Sequence, residues 1–561
     1  MELNKFSRFL LISCNLKKLR QNKKMNQYAE LGTKYDWIVI GEHPAALLSA
    51  AFMSKSGYSV LVVGMDSVKD SHVSEEGDCI DPESNWLLGL GENLGKPGLI
   101  RDLLIRLGVS FEKETSYFDS EQDLPQILTP QIRIRTLKDQ RSFLFELERE
   151  LGRELNQKAY VSEVFEKTET SSHSFWKKYL KEMDAQIYSA SIQTRLRDWF
   201  DVEAGPVERS SSNPFGMTFD FNLKEWSMPH ARLKDLVDRC GSSEVRDLIL
   251  GWAAATHRGE EENPILSELT PLLSVLRRGA GVRGGMRTFR NQLKSLAKKH
   301  GATIVSGEQL QRIFIEDRVF VGVQLKGNAR VIQGRSALYS GRRSQLNHLV
   351  HRSQIPSSGF RQKAPHGWRF TLALTVNEEA IPPGLNRRSI WKEKGAPALE
   401  IEMASPSDYG MGVTGRKLIF ARTVLPYHPD SLKIETQRRV ASQMFQQLSE
   451  LLPFLEFHVV DIFPDFRKSY KRGDDEFSLY YGFVSPEFIP ENLCVYEGRG
   501  EGVFTGIQRL YGAAGESFPC WGNLGPYLAA LESIRIFVSE SSGEKTTFGL
   551  TSEHPHQWVH L

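Results

Sequence analysis

The chain has 561 residues, of which 40% are hydrophobic, 25% charged and 10% aromatic, so it is not a largely disordered, collagen-like or coiled-coil protein. Its 71 basic and 69 acidic side chains leave a net charge of +2. The strong basic excess of nucleic-acid binders is absent, and we expect no nucleic-acid partner. Five scattered cysteines without a CxxC pair favour reduced thiols over a disulfide framework, and the sequence predicts no metal site.

The two ends of the chain differ in character from the rest. Residues 1–24 carry seven basic side chains against one acidic one, Glu2, and their short apolar run falls below the length of a signal-peptide core. We expect a disordered basic leader over 1–33 and a disordered polar tail over 541–561. We therefore expect a cytoplasmic protein, and weak attachment of the basic leader to the inner face of a membrane is the alternative.

The first fold signal is a strand–helix–strand unit. An apolar strand over 36–40 ends at Gly41, and Pro44 suits the first turn of the helix that follows. The helix is predicted over 45–56 and a second apolar strand over 59–63. Such a unit predicts parallel strands joined by a right-handed crossover.

Two further α/β stretches follow, separated by segments of other character. The predicted elements are a helix over 287–300, a strand over 302–305, a hairpin of 313–315 with 319–325, and a helix over 526–538. Residues 140–280 are predicted to be mostly helical, and residues 365–500 strand-rich with one helix over 434–452. Because each α/β stretch is too short to cover a parallel sheet alone, we expect the strands at 36–40 and 302–305 to share one sheet.

Three motifs stand in a recognisable order along the chain. They are Cys79–Trp86, the Gly284-Gly285-Met286 segment before a helix, and Leu510–Ser517 followed by Pro519, Gly522 and Gly525. Over residues 34–540 the chain resembles the flavin-dependent amine oxidase and phytoene desaturase superfamily, nearest its carotenoid desaturase and isomerase branch.

The resemblance implies an α/β fold with a discontinuous FAD/NAD(P)-binding Rossmann-like domain and an inserted α+β substrate domain. The first domain is expected to comprise 34–139, 281–345 and 501–540, and the second 140–280 and 346–500. If a ligand channel exists, it is expected to be mostly apolar.

The resemblance also assigns site residues. Those implied to bind FAD are Gly41, His43, Ala45, Ala46, Gly64, Asp66, Gly515, Glu516, Gly522 and Gly525. Trp86 and Trp521 are implied to line a substrate channel near the flavin. No catalytic residue is singled out, because the flavin itself carries the hydride chemistry in such enzymes.

The chain departs from the family pattern where FAD would be held. His43 replaces the second glycine of the dinucleotide fingerprint. In the family this glycine has no side chain and so lets the pyrophosphate approach the backbone. Glu42 adds negative charge beside that place. Gly64 stands where the family has the acid that binds the ribose, with Asp66 two residues on, and Glu516 replaces an aspartate. We therefore predict that FAD binds weakly or not at all.

Two functions of different class remain open. The first is an FAD-dependent oxidoreductase or isomerase of the phytoene desaturase type, acting on an apolar, isoprenoid-like substrate. The second is a flavin-free relative that binds a lipid-like ligand or a protein partner. The GDP-dissociation inhibitors of small GTPases are a precedent for the second, because they share this architecture without using flavin. A fold alone does not choose between the two functions.

Overall fold

A computed structural model gives the fold. It describes residues 31–65, 83–93, 96–111, 124–136, 279–305, 310–328, 330–351, 364–393, 396–404, 415–464, 491–496 and 501–541, together with shorter pieces between them. The expected leader falls almost wholly outside these residues, as do the expected tail, Asp66 and most of the segment predicted to be helical at 140–280.

The described helices and strands alternate along the chain. The helices are α1 (Pro44–Lys55), α2 (Leu99–Arg106), α3 (Gly285–Lys299), α4 (Arg343–Leu349), α5 (Ile434–Leu451), α6 (Leu455–His458) and α7 (Gly525–Ser541). Short 3-10 helices are Glu378–Ala380, Pro429–Leu432, Glu491–Leu493 and Pro519–Leu524. The strands are β1 (Lys34–Ile40), β2 (Val60–Val63), β3 (His72–Val73), β4 (Cys79–Ile80), β5 (Trp86–Leu87), β6 (Glu92–Asn93), β7 (Lys96–Pro97), β8 (Tyr117–Phe118), β9 (Gln126–Leu128), β10 (Arg133–Arg135), β11 (Ala280–Val282), β12 (Thr303–Val305), β13 (Leu310–Glu316), β14 (Val319–Leu325), β15 (Val331–Tyr339), β16 (Gly367–Asn377), β17 (Arg388–Trp391), β18 (Leu399–Ala404), β19 (Arg416–Pro426), β20 (Val459–Phe463), β21 (Cys494–Val495) and β22 (Leu510–Gly512).

The chain divides into two compact units. Unit 1 comprises Met1–Ser67, Leu293–Arg361 and Phe504–Gly512, and unit 2 comprises Val68–Gln292, Gln362–Val503 and Ala513–Leu561. Each unit is therefore built from separated stretches of sequence. The limits expected for the two domains in the sequence analysis stay a prediction.

Unit 1 is built on one sheet. In the described part of the unit its strand order is β12-β2-β1-β15-β14-β13, with β22 paired to β15. Strands β12, β2, β1, β15 and β22 are parallel, whereas β14 and β13 form an antiparallel hairpin at the edge. The expectation that the strands at 36–40 and 302–305 share a sheet is confirmed, and so is the predicted hairpin.

Helix α1 crosses from β1 to β2 as the sequence predicts. Its residues from Pro44 to Ser54 are all buried. The helix can be buried on every side because its own side chains are small (Ala, Ser) or apolar (Leu, Phe, Met). The helix begins directly after the turn at the carboxyl end of β1. The carboxyl ends of parallel strands in open α/β sheets are where ligands usually bind.

Unit 2 is built on a second, larger sheet. Its described strand order is β10-β9-β17-β18-β19-β16-β20, with β21 paired to β16. One face carries the apolar core, which includes Trp368, Phe370, Leu372, Ile401 and Ile419. The described part of residues 365–500 is thus strand-rich as predicted, with helix α5 close to its expected limits.

The architecture confirms the predicted α/β fold class. A mostly parallel sheet and a mostly antiparallel sheet are present, each with its own buried apolar core. Among the residues that the structure describes, no helix is both long and apolar enough to cross a membrane.

Candidate functional site

The turn after β1 requires a glycine for a reason within the chain. Gly41 has a φ of 103°, and a Cβ at this position would lie 2.2 Å from the Oγ of Ser340. Ser340 is held there because its N–H and its Oγ both donate to the carbonyl oxygen of Ile40, at 2.9 and 3.2 Å. The first glycine of the fingerprint is therefore explained by Ser340, the residue that follows strand β15.

The N-terminus of helix α1 is capped by the chain itself. His43 is the N-cap residue, with φ −60° and ψ 140°, and its Nδ1 accepts a hydrogen bond from the N–H of Ala45 at 3.2 Å. Pro44 has no N–H to offer. The N–H groups of Ala46 and Leu47 donate to the carbonyl oxygen of His43, at 2.9 and 3.0 Å. The donors of the first turn are thus directed at His43.

A second His-Pro pair in the chain makes the same cap. His428 precedes Pro429 at the start of an exposed 3-10 helix, and its Nδ1 accepts from the N–H of Asp430 at 3.2 Å. The residue before a proline is pushed toward the extended conformation, which is also the conformation of an N-cap residue. The cap at α1 is therefore a local property of the His-Pro pair and needs no ligand.

The carboxylate next to this cap is paired. Glu42 Oε2 lies 2.8 Å from the Nζ of Lys294 on helix α3, with both side chains about one fifth exposed at 23% and 21%. The other oxygen, Oε1, is buried and has no hydrogen-bond partner among the described residues. The negative charge that the sequence analysis placed at this turn is thus balanced by a lysine.

The end of β2 carries no carboxylate in the described residues. The N–H of Gly64 donates to the carbonyl oxygen of Val305 at 2.7 Å, which extends the pairing of β2 with β12 by one residue. Asp66, which the sequence analysis considered as a substitute for the ribose acid, lies outside the described residues.

In unit 2, a side chain of the protein takes the N–H of Gly515. Glu491 Oε1 accepts from this N–H at 2.9 Å, and Glu491 Oε2 accepts from the hydroxyl of Tyr496 at 2.7 Å. A Cβ at Gly515 would lie 3.0 Å from the ring of Tyr496, so the glycine gives room to this ring. Burial, together with the charge of Glu491, raises the pKa of Tyr496 well above its usual range.

The other glycines of the C-terminal motif also have reasons within the chain. Gly522 has φ 54° and ψ −134°, a backbone conformation open essentially to glycine alone, and it forms a kink just before helix α7. A Cβ at Gly525 would lie 2.4 Å from the carbonyl oxygen of Phe518. Glu516 is buried, and its carbonyl oxygen accepts from the N–H of Glu501 at 3.0 Å. The side chain of Trp521 lies outside the described residues.

These residues do not fit the pyrophosphate of FAD. A dinucleotide site of this fold offers free backbone N–H groups at the helix N-terminus, on a turn without side chains. Here the imidazole of His43 stands on that turn and binds the N–H of Ala45, and Glu491 binds the N–H of Gly515. Gly41, Gly515 and Gly525 give room to neighbouring atoms of the chain, and Gly522 is required by its backbone conformation.

Trp86, in unit 2, is surrounded by other parts of the chain. Its side chain is 3% exposed, and its carbonyl oxygen accepts from Nδ2 of Asn523 at 2.8 Å. The indole lies against Gly279, where a Cβ would be 2.2 Å from Nε1. The guanidinium of Arg388 is stacked 5.4 Å from the ring centroid. Trp86 is thus fixed between a glycine and a buried cation.

The sheet face opposite the apolar core of unit 2 carries buried ion pairs. Arg388 on β17 binds Glu400 on β18 at 2.9 Å, and Arg422 on β19 binds Glu402 on β18 at 2.7 Å. The directly opposite residues are Arg388 with Glu402 and Glu400 with Arg422. Both ion pairs therefore run diagonally across the sheet, within the reach of long side chains.

The segment before β5 closes over these charges. Arg422 donates from Nη2 to the carbonyl oxygen of Glu83 at 2.7 Å, and the N–H of Asn85 donates to Glu402 Oε2 at 3.3 Å. Nη1 of Arg290 on helix α3 donates to both carboxylate oxygens of Glu83, at 2.9 and 3.1 Å. The motif that the sequence analysis noted at 79–86 thus ends on the charged sheet face.

A fourth arginine, Arg369 on β16, belongs to the same group. Burial lowers the pKa of Arg369 and of Arg388, and the neighbouring arginines lower it further while the glutamates oppose this. Arginine nevertheless keeps its proton in proteins. We call the following side chains, each at most 9% exposed, the charged cluster: Glu83, Arg290, Arg369, Arg388, Glu400, Glu402 and Arg422.

This cluster was not predicted from the sequence. The run 399–404 alternates apolar and charged residues, which is typical of a strand with one face in water. In the structure both faces of β18 are buried, and the glutamates meet arginines of the neighbouring strands. The signal available in the sequence was the presence of arginines, Arg388 and Arg422, in the strand segments that pair with 399–404. Within the described residues no group of metal-binding side chains is present.

Comparison with known proteins identifies the fold but not the family. No protein-family model matches the chain, and no curated protein matches it. An oxidoreductase from Methanosarcina mazei is similar in structure, with a TM-score of 0.51, 13% identity, and coverage of 89% of this chain and 100% of that one. A mutant putrescine oxidase from a redesign of cofactor binding has a TM-score of 0.50 and 11% identity, over 90% of this chain and 99% of that one. The chain therefore has a flavin amine oxidase-like fold of the FAD-binding Rossmann type.

Proposed function

We propose that this chain is a ligand-binding protein that uses the flavin oxidoreductase fold without holding FAD. The proposal includes a relationship to the carotenoid desaturase branch of the superfamily. In this proposal the chain shares the fold of that branch but not its flavin chemistry. The observation that carries the proposal is the cap of helix α1, where the imidazole of His43 binds the N–H of Ala45.

The cap matters because it removes both space and a donor. A pyrophosphate at this turn would have to displace the imidazole and take over its hydrogen bond. The missing ribose acid at Gly64 removes a second contact. A hydrogen bond to a charged group contributes about 1.5–3 kcal/mol, and every 1.4 kcal/mol is about tenfold in affinity. Two such losses weaken FAD binding by roughly two to four orders of magnitude.

Calorimetric titration of the full chain with FAD tests the proposal. We expect weak or undetectable binding by the unmodified protein. A His43→Gly, Gly64→Glu double variant should bind FAD more tightly, because it frees the N–H of Ala45 and restores a ribose acid. The matched control is His428→Gly, which removes the same kind of cap from an exposed helix and should leave FAD binding unchanged.

Tight, near-stoichiometric binding of FAD by the unmodified protein would contradict the proposal. It would instead support the other function implied by the resemblance, an FAD-dependent oxidoreductase of the phytoene desaturase type with an apolar, isoprenoid-like substrate. That function is supported by the fold and by the carboxylate retained at Glu516. It needs donors that, in this chain, are bound to His43 and Glu491.

A further inference from the structure

We propose that the charged cluster of unit 2 binds the head group of an amphiphile, a phosphate monoester on a hydrocarbon chain. This ligand would be the cargo of the proposed binding function, and the inference rests on that function. Three observations carry it: the charge of the cluster, the unpartnered polar atoms of Glu402 and of the neighbouring Trp86, and the apolar residues that continue the same sheet face.

The charge of the cluster favours an anion. Among the described residues it contains four arginines and three glutamates, all nine-tenths buried or more. Buried charges are costly unless they are compensated, and a singly charged anion would bring this group to neutrality. The guanidinium group matches phosphate and carboxylate geometry with two parallel hydrogen bonds.

Polar atoms in this region that have no hydrogen-bond partner among the described residues include one on Trp86 and one on Glu402. One is Nε1 of Trp86, which can only donate, and the other is Oε1 of Glu402, which accepts when ionised. Trp86 lies beside the cluster, because the guanidinium of Arg388 stacks on its ring and the N–H of the preceding residue, Asn85, binds Glu402 Oε2. A head group with both acceptor oxygens and one O–H would satisfy these two atoms. A phosphate monoester that keeps one proton has this chemistry and carries a single charge.

The same sheet face becomes apolar along the strands. Residues two apart on a strand share a face, so Phe420 and Leu418 continue the face of Arg422 on β19, and Ala404 continues that of Glu402 on β18. With Ala373 of β16 they form a separate buried apolar cluster, against which Phe463 packs. The face thus runs from charged to apolar, which matches a ligand with an anionic head and a hydrocarbon tail.

Titration of the full chain with dodecyl phosphate below its micelle concentration tests this inference. We expect saturable binding, and Trp86→Phe should weaken it about tenfold or more, since the variant keeps the ring and deletes one donor to a charged group. The matched control is Trp391→Phe. Nε1 of Trp391 also lacks a partner among the described residues, but its side chain packs in the apolar core on the opposite face, so the affinity should not change.

Three other probes separate the parts of the ligand. Dodecanol lacks the charge, inorganic phosphate lacks the tail, and dodecanoate replaces the phosphate by a carboxylate. Each should bind at least tenfold more weakly than dodecyl phosphate. Equal binding of any one of them would overturn the inference, as would equal affinity of the wild type and Trp86→Phe.

Phosphorus NMR of the wild type gives a second readout, which holds even if Trp86→Phe fails to fold. A free phosphate monoester loses its second proton at a pKa of about 6. The bound head group should keep that proton at higher pH, because Glu402 accepts it. A bound phosphate that titrates like the free one would overturn the inference. Absence of FAD binding combined with absence of dodecyl phosphate binding would refute the ligand while leaving the flavin-free proposal intact.

Discussion

The turn at 41–46 in unit 1 and the charged cluster in unit 2 use polar groups in opposite ways. At the turn, the polar groups are bound by other groups of the chain. His43 accepts a hydrogen bond from the N–H of Ala45, and Lys294 forms an ion pair with Glu42. In the cluster, seven ionisable side chains are buried together, and Glu402 keeps an oxygen without a partner among the described residues. The backbone donors described at the turn are bound within the chain, although one oxygen of Glu42 has no hydrogen-bond partner among the described residues, whereas the cluster combines such an oxygen with a buried excess of arginines.

The difference shows where binding can take place. The resemblance places the cofactor at the turn, yet Gly41, the donor of Ala45 and the charge of Glu42 are accounted for there by contacts within the chain. The cluster lies where no family motif assigns a ligand contact except Trp86. Polar groups that are bonded within the chain and polar groups that could bind a ligand are distinguished by their hydrogen-bond partners. The sequence motifs do not reveal these partners.

The largest expected effect is at the cluster. Glu402→Ala should lower the free energy of unfolding by about 3–5 kcal/mol, because it leaves the buried Arg422 without its carboxylate. Urea denaturation measures this. The control is Glu378→Ala, which breaks the more exposed pair with Lys417, where Glu378 is 58% exposed, and should cost less than about 1 kcal/mol. Similar losses in both variants would contradict the account of the cluster.

A smaller effect is expected at Tyr496, with a defined pH dependence. The folded state favours the neutral hydroxyl, whose pKa is raised by burial and by Glu491. This stabilisation is present below the ordinary tyrosine pKa of about 10 and is lost as the pH rises above it.

Tyr496→Phe should cost about 1.5–3 kcal/mol near neutral pH, because it deletes a hydrogen bond to a carboxylate. The variant should also lose less stability than the wild type when urea midpoints are compared from about pH 9 to 11. An unchanged alkaline slope would show that Tyr496 is not the group responsible.

At the turn, Gly41→Ala should cost about 1–3 kcal/mol, because an alanine is strained at a φ of 103° and its Cβ meets Ser340. The double variant Gly41→Ala, Ser340→Ala removes the clashing oxygen and should recover part of this loss. Full recovery would mean that the backbone conformation carries no strain. No loss in the single variant would mean that Gly41 is not held by its neighbours.

The smallest expected effect is the difference in stability loss between variants of the two His-Pro caps. His43→Ala should cost about 1 kcal/mol, which is the typical value for a lost N-cap. His428→Ala, at an exposed 3-10 helix, should cost about 0.5 kcal/mol or less, at the low end of the same range. Thermal unfolding of the two variants compares them. If His43→Ala were as stable as the wild type, the cap would not be the reason for His43.

Much of the fold was readable from the sequence because its signals are local. The strand–helix–strand unit and the hairpin around Asp317 and Arg318 follow from apolar runs and turn residues, and the structure has them within a few residues. Strand β15, which occupies the middle of the sheet of unit 1, was not named. Its sequence contains Gly334, Arg335 and Ser336, which weaken the strand pattern, and Gly334 is needed because a Cβ would lie 2.7 Å from Ile38.

The site was less readable because its contacts join distant residues. The sequence pointed to His43 as a departure from the fingerprint but not to its bond with Ala45. It pointed to Trp86 but not to Arg388, about 300 positions later, which stacks on the ring. Ion pairs such as Arg422 with Glu402 depend on the register between strands, and nothing in a single sequence fixes that register.

The absorption spectrum of the full chain, purified from cells grown with ample riboflavin, tests the central claim most directly. We expect no flavin band at about 450 nm in the purified protein. We also expect the His43→Gly, Gly64→Glu variant, after addition of FAD and gel filtration, to retain more of this absorbance than the wild type. A yellow wild-type protein that keeps its flavin through gel filtration would contradict the account.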